Sequence, residues 1–461
     1  MMMKFGILYC IVLNMIPLVT GESGYFWHIT DFHYDYTYHG RQLSCNPNDK
    51  PDNPGKFGDF WCDSPWLLID SSVKAMSRIK PNADFILWTG DTILHGKDAD
   101  LSYEMNAVML QNTTDVLRNV LPNVPVYATY GNHDYWPNNQ FPPHNNLLYN
   151  DTWIRWEDWV NDPSQEDNFR KGGYYTIKTQ HGLRIVALNT NLYYTSNTAI
   201  LNETDPADQL QWLNTTLYNA KMNRDKVLVT AHIPFGVHTP SNLIWMHEKY
   251  HTPLVNILRG YTDIIVGMHF GHDHSDGFKV LHSSDGQHAA PVFMAPSVTP
   301  WRYIIPNKIG PAHNPGIRLV EYDRTTGQHK DLKQYYLDLN KANKDGVANW
   351  TLEYTFSDIY DTSALTGDTI NAVVEEMKQS TNGQKLNKFW KHFTVSPPED
   401  LQEPCNDECR RSIVCGFKHY EMRTFKTCKS DMISGSTSIF ATWNICITVL
   451  GLIHVCVYFF V

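Results

Sequence analysis

The 461-residue chain has no long block of one charge sign, and its formal net charge is -10. A nucleic-acid polymer needs a basic face to hold it, so general binding of that partner is excluded. No internal repeat and no low-complexity tract occurs, which argues against a solenoid or a disordered chain. The nine Cys contain no pair of C-x-x-C steps, so a four-Cys zinc knot has no support. The last apolar run, Ile445 to Val461, falls short of the ~20 residues a spanning helix needs, and no Lys or Arg follows it.

What is present is a globular composition, 42% hydrophobic and 19% charged. The length allows one large domain and a smaller one. Residues 1–21 read as a secretory signal: Lys4 begins it, Phe5 to Val19 is mostly apolar, and Thr20-Gly21 offers small residues for cleavage. The alternative, a membrane anchor, has too short a run.

Cys10 would leave with that segment, and Cys446 and Cys456 lie in the last apolar run. Six Cys remain, an even number that implies disulfides in a secreted chain. Cys45 and Cys62 are expected to close a local loop. Cys405, Cys409, Cys415 and Cys428 allow three pairings, of which Cys405–Cys409 with Cys415–Cys428 is the expectation. Five N-x-S/T sequons, at Asn112, Asn150, Asn202, Asn214 and Asn349, fit a glycosylated surface. Ser434-Gly435-Ser436, a spacer from Thr437 to Asn444 and the apolar tail are the parts of a glycolipid (GPI) anchor signal, with attachment at Ser434. A short transmembrane helix is the rival reading. The anchor would place the protein on the outer face of the plasma membrane, or shed from it.

Apolar runs bounded by turn residues predict strands at 25–30, 84–88, 125–129, 173–178, 184–189, 227–230 and 262–268. Short strands follow near 278–282, 290–295, 317–323 and 330–337. Helices are expected near 65–79, 98–119, 205–221 and 242–259, the first entered through Ser64-Pro65. Residues 340–430 read as helical. Alternation of strand and helix in the first half predicts an α/β fold, and the later strands predict antiparallel additions. Two sheets packed face to face with helices outside follow.

The chemistry sits at five strand ends: Asp31-x-His33, Gly90-Asp91, Gly131-Asn132-His133-Asp134, His232, and Gly271-His272-Asp273-His274. Singly, a Gly-Asp or Gly-Asn pair is an ordinary turn, and His232 an ordinary core residue. Jointly they bring nitrogen and oxygen ligands to the carboxyl ends of strands, where α/β sheets collect ligands, as a two-metal site requires. A competing zinc motif, His247-Glu248-Lys249-Tyr250-His251, spells H-E-x-x-H. Pro253 is expected to disrupt its helix, and Leu254 and Ile257 stand where a third-ligand motif needs Gly and His, so it is set aside.

The ordered set D-x-H, G-D, G-N-H-D, H and G-H-x-H resembles that of the calcineurin-like metallophosphoesterases. From about residue 24 to 430 the chain is similar to the acid sphingomyelinase-like phosphodiesterases, nearest their membrane-anchored type. The resemblance implies a four-layer sandwich, with two mixed sheets flanked by helices over 22–340 and a small helical, disulfide-bearing region over 341–433. The anchor signal, 434–461, would be removed. It also implies that Asp31, His33 and His274 hold one metal, that Asn132, His232 and His272 hold another, and that Asp91 bridges them.

Two zinc ions suit this mixture of imidazole, carboxylate and amide, and manganese fits the same donors. An iron-containing purple relative would need Tyr where Leu94 stands. His133 is the expected general acid, with Asp134 orienting it and His95 contacting the phosphate or the leaving group. His238, Tyr135-Trp136 and Trp301-Arg302-Tyr303 are weaker candidates for a substrate cleft.

The implied activity is attack of a metal-activated hydroxide on a phosphodiester or phosphoanhydride, in nucleotide-linked, choline-containing or sphingolipid-type molecules. A phosphomonoesterase on the same scaffold is one alternative. The other is a surface protein that modulates lipids or receptors in innate immune signalling. No saposin-like segment precedes Tyr25, so soluble diesters are expected to be cleaved better than sphingomyelin in a bilayer. A monomer is expected.

Overall fold

The computed structural model describes residues 21–302, 304–305, 308–379 and 383–441. The expected signal, apart from Gly21, and the apolar tail lie outside them. In chain order the first half runs β1 (Ser23–Ile29), α1 (Trp66–Ile79), β2 (Phe85–Trp88), α2 (Tyr103–Val120), β3 (Val126–Ala128), α3 (Leu147–Val160), α4 (Glu166–Gly172), β4 (Tyr175–Lys178), β5 (Arg184–Ala187), α5 (Gln209–Met222) and β6 (Val227–Thr230). A hairpin of β7 (Val237–His238) and β8 (Leu243–Ile244) leads to α6 (Glu248–Arg259) and β9 (Ile265–Phe270). Then come β10 (Gly277–His282), β11 (Ala289–Met294), the short pair β12 (Ile304–Ile305) and β13 (Lys308–Ile309), β14 (Gly316–Asp323), β15 (His329–Tyr336), α7 (Leu339–Asp345) and β16 (Thr351–Thr355). Helices α8 (Phe356–Tyr360), α9 (Gly367–Gln379), α10 (Gln384–Phe393), α11 (Asp407–Gly416) and α12 (Met422–Ala441) complete the described chain.

Two six-stranded mixed sheets form among the described residues, ordered β16-β15-β14-β1-β2-β3 and β10-β11-β9-β6-β5-β4. In the first, β1, β2 and β3 are parallel and β14 to β16 are added antiparallel. In the second, β5, β6, β9 and β11 are parallel, with β4 and β10 antiparallel at the edges. The sheets pack face to face: Phe26 of β1 meets His269 of β9 edge-on at 5.3 Å, and Phe293 of β11 stacks on His329 of β15 at 5.8 Å. Buried on both faces, the parallel strands read as continuous apolar runs, which is why they were legible.

Four local expectations need correction. Residues 242–247 are not helical. Val237 and His238 pair with Ile244 and Leu243, and α6 begins only at Glu248. Pro253 lies inside α6 without ending it; the zincin reading fails instead because His251 Nε2 accepts the Gly236 N–H at 3.2 Å. Residues 340–430 are not wholly helical, because β16 pairs with β15 and widens the first sheet. Ser64 also makes no side-chain cap for α1. Its backbone is held by the loop after β1: Ser64 N–H donates to His33 O, and Asp35 N–H to Ser64 O.

The expected disulfides Cys45–Cys62, Cys405–Cys409 and Cys415–Cys428 are all formed. The C-terminal helices join the sandwich through a second apolar core, in which Phe278 and Phe293 meet Phe356, Phe389 and Phe417. Tyr354 Oη donates to Asp276 at 2.6 Å and Asp276 N–H to Phe393 O at 3.1 Å, tying that region to the loop after β9. Among the sequons, Asn202, Asn214 and Asn349 are exposed and Asn112 and Asn150 half-buried. Among the described residues no helix is long and apolar enough to cross a membrane.

Candidate active site

Strands β1, β2, β3, β6 and β9 end at one edge of the sandwich, and each predicted ligand lies shortly beyond its strand. The loops that carry them are sharp. Asp31, His33, Asp91, His272 and His274 all have positive φ, between 42° and 69°. An L-residue pays roughly 1 kcal/mol or more for that conformation, so something must hold each loop. Asp31 N–H donates to Gly90 O and His33 N–H to Asp91 O. The buried Asp134 carboxylate takes three backbone donors, from Asp91 (3.1 Å), Thr92 (2.7 Å) and Gly131 (2.7 Å). Asp134 therefore clamps the loops after β2 and β3 together; the expectation that it orients His133 is not met.

All seven predicted ligands converge. His33 Nε2 lies 3.7 Å from Asp31 Oδ1 and 3.4 Å from Asp91 Oδ2, and His274 Nε2 lies 3.4 Å from Asp31 Oδ1. On the other side His232 Nε2 is 3.1 Å from Asp91 Oδ2 and 3.1 Å from Asn132 Oδ1, while His272 Nδ1 is 2.8 Å from Asn132 Oδ1 and 3.3 Å from His232 Nε2. Asp91 belongs to both groups. Two donors each ~2.0–2.1 Å from one tetrahedral ion stand roughly 3.3–3.4 Å apart, which is close to the spacing observed.

The tautomers agree. His33 Nδ1 donates to Ile93 O at 2.7 Å and His232 Nδ1 to Thr89 O at 2.6 Å, so both Nε2 atoms present lone pairs inward. His33 Nε2 is buried and makes no hydrogen bond among the described residues. Asn132 Nδ2 donates to Asn139 Oδ1 at 2.8 Å, which turns its carbonyl oxygen toward the two histidines.

The electrostatics also fit cations. Burial opposes ionisation of Asp31 and Asp91, yet the surrounding histidines hold both carboxyls well below the usual range. Burial would lower His33 and His232, but Asp91 overrides it and lifts each to about 9. Divalent cations would answer the same negative potential and take up the inward lone pairs of both imidazoles.

The donors open into a cavity of about 160 Å³ lined by His95, His133, Tyr194, His238, Trp245 and Trp301, among others. The His133 backbone N–H donates to Asp91 Oδ1 at 2.8 Å, and its ring meets that of His95 at 4.4 Å. His95 is sandwiched between His33 (3.9 Å) and Trp301 (3.7 Å), both stacked. Burial first, and neighbouring imidazoles second, push both His95 and His133 well below the ordinary histidine range.

Sequence reasoning missed Asp63. It is fully buried, faces His95 Nδ1 at 3.0 Å and takes the His95 N–H at 2.6 Å. It also missed Asn139, Tyr194 and Trp245. Of the weaker cleft candidates, His238 and Trp301 line the cavity, whereas Arg302 turns away to Gly310 O and Glu403, and Tyr303 lies outside the described residues.

Comparison with known proteins matches residues 24–276 to the calcineurin-like phosphoesterases and residues 287–434 to the acid sphingomyelin phosphodiesterase C-terminal region. The bovine (Bos taurus) cyclic GMP-AMP phosphodiesterase SMPDL3A is 36% identical over 425 residues, covering 90% of this chain and 93% of the relative. The human (Homo sapiens) acid sphingomyelinase-like phosphodiesterase 3b is 35% identical over 429 residues, covering 91% and 92%. This chain belongs to the acid sphingomyelinase-like phosphodiesterases. Among solved structures, a dimetal phosphatase from Danio rerio covers 68% of this chain and 95% of its own, at 16% identity and a TM-score of 0.42. As a member of its family, this phosphodiesterase is a metal-dependent phosphodiester hydrolase.

Glycine at 131 is a packing requirement: a Cβ there would stand 2.0 Å from Asp91 Oδ1. We expect Gly131→Ala in this phosphodiesterase to displace the shared carboxylate, lowering bound metal and activity together by at least about tenfold. Circular dichroism and metal analysis on the same sample check it. Full metal content with full activity is the contrary result.

Proposed function

We propose that this phosphodiesterase works with two zinc ions at the outer surface of the cell on small phosphodiesters or phosphoanhydrides. The observation that carries the reading is the pair of donor groups sharing Asp91 and opening into one cavity. Asp31, His33 and His274 would hold one ion, Asn132, His232 and His272 the other, and Asp91 both. Two divalent cations bound there supply positive charge for the phosphoryl oxygens and acidify a water. The relatives' names point to cyclic dinucleotides and to sphingomyelin as substrates of those proteins. The aromatic rings of Trp301, Trp245 and Tyr194 give the cavity here flat apolar walls that suit a base, a choline group or a lipid head-group.

His133 follows the ligand Asn132 and lines the cavity, and a phosphodiester anion bound beside it would favour the imidazolium that burial and His95 disfavour, so it serves as the acid that protonates the departing oxygen. His95 is the second imidazole at that end. Asp63 holds its Nδ1, so the nitrogen left to meet substrate is Nε2. Chelation should abolish activity and zinc restore it, with close to two ions per chain by metal analysis; well under two sinks the two-ion reading. His133→Ala should keep the metals and lose roughly 10²–10⁴-fold in turnover, less for a p-nitrophenyl than for an alkyl leaving group. If that leaving-group dependence appears in His95→Ala instead, the two histidines exchange roles.

We place the protein on the membrane by a glycolipid at Ser434. The sequence supports this reading, through the small-residue triplet, the spacer and the short apolar tail. The backbone is helical through Ser434 to Ala441 as part of α12. A phosphatidylinositol-specific phospholipase should release the protein from intact cells. Retention together with persistence of a tag placed after Val461 would mean a true transmembrane tail.

A further inference from the structure

One wall of the catalytic cavity is the β7–β8 hairpin, which brings His238 and Trp245 to the metal ligands. The Trp245 ring stands edge-on to His272 at 4.9 Å, and its Nε1 donates to Asp273 Oδ1 at 3.0 Å. The His238 ring lies against Trp245 at 5.2 Å. On its other side the hairpin rests on parts of the chain that never reach the cavity. Val237 is fully buried with Cys415 and Phe425, and Ile244, Met422, Cys428 and Met432 pack around them. Thus the Cys415–Cys428 disulfide and the start of α12 form the floor beneath the hairpin.

The first strand of the hairpin is pinned as well. Lys279 of β10 is only 4% exposed, and its Nζ donates to Val237 O at 2.7 Å. A buried ammonium is costly; this one is drawn to the Asp273 carboxylate as well as to the Val237 carbonyl, and so fixes the root of the hairpin. Gly236 has φ +92°, and a Cβ there would fall 2.6 Å from the Tyr420 ring; a Cβ at Gly416 would fall equally close to Thr239. The fit between hairpin and C-terminal region is therefore close along its length.

We propose that the β7–β8 hairpin is the specificity wall of this phosphodiesterase, and that Lys279, Phe425 and the Cys415–Cys428 disulfide set its position from outside the site. They are positioning residues and touch no substrate. His95, His133 and Trp301 gather at one end of the cavity and His238 and Trp245 at the other. On the reading that His133 serves the leaving oxygen, the hairpin faces the arm of the diester that stays on phosphorus. The C-terminal region thereby chooses which retained arms fit, without entering the chemistry.

The test uses Lys279→Met and Phe425→Ala, with Cys415→Ser/Cys428→Ser as a third variant should it fold. Bis(p-nitrophenyl) phosphate has a bulky retained arm, and methyl p-nitrophenyl phosphate has a small one. The expected result is a KM for the diaryl ester raised about fivefold or more, with KM for the methyl ester, kcat and metal content all within about twofold. Hydrogen exchange over 237–246 should quicken in the same variants. If KM rises for both esters with kcat, metal and faster exchange as expected, the wall stands but faces the leaving arm, and the assignment of His133 fails instead. Unchanged KM for both esters, or a fall in kcat together with lost metal, overturns the proposal.

Discussion

Asp91 is a fully buried carboxylate ringed by imidazoles, and most of the surrounding architecture exists to keep it ionised and in place. A lone buried charge costs several kcal/mol. Here it is met by His33 and His232 on either side and by the His133 backbone N–H. Its loop, like those of Asp31, His33, His272 and His274, sits in the left-handed region. At roughly 1 kcal/mol each, five such residues approach the net stability of a whole domain. Such strain persists only when the frame over-determines it, and the frame is visible: Asp134 takes three backbone donors from two loops, and the bonds from Asp31 and His33 to the loop after β2 lace strand end to strand end. The frame of backbone hydrogen bonds therefore helps to hold the seven donors together, as a tight metal site requires.

The ligands were legible in the sequence because chemistry and backbone leave the same mark. A strand that ends in Gly followed by Asp, Asn or His announces both a tight turn and a polar group aimed off the sheet edge. Repetition of that mark at successive strand ends made the site readable. Asp63 carried no such mark. It sits after Cys62 in an irregular loop, and only folding of the disulfide-closed segment against the β2 loop sets it beside His95. Asn139 turns the amide of Asn132 from seven residues away through a loop no local rule describes. Asp134 was read as a partner of its neighbour His133, because adjacency in sequence was the only warrant; in the fold its carboxylate turns back to the turn it belongs to.

The misread elements share one cause. The segment 242–247 has mixed periodicity; Leu243 and Ile244 are extended because β7 pairs with them, and β16 is a strand because the edge of β15 accepts it. Tertiary partners decided both. The Cys pairings were legible for the opposite reason: each joins residues near in sequence, at separations of 17, 4 and 13.

The cavity's charge bears on which esters the site can prefer. A phosphomonoester near neutral pH carries close to two negative charges and a diester one. Among the described residues lining the cavity there is no Lys or Arg. Arg302, the nearest in sequence to the Trp301 wall, is engaged by Gly310 O and Glu403. Among the described residues, counter-charge then comes chiefly from whatever cations the seven donors hold, and Asp31 and Asp91 cancel part of that. Asp273, also at the rim, subtracts further. A dianion would need an additional fixed positive group to replace the water it gives up. A diester needs less charge and more surface, because both of its arms must leave solvent. Histidine and tryptophan walls at each end of the cavity offer that surface. The opposed aromatic walls therefore favour the diester, and they do so independently of which metal the donors hold.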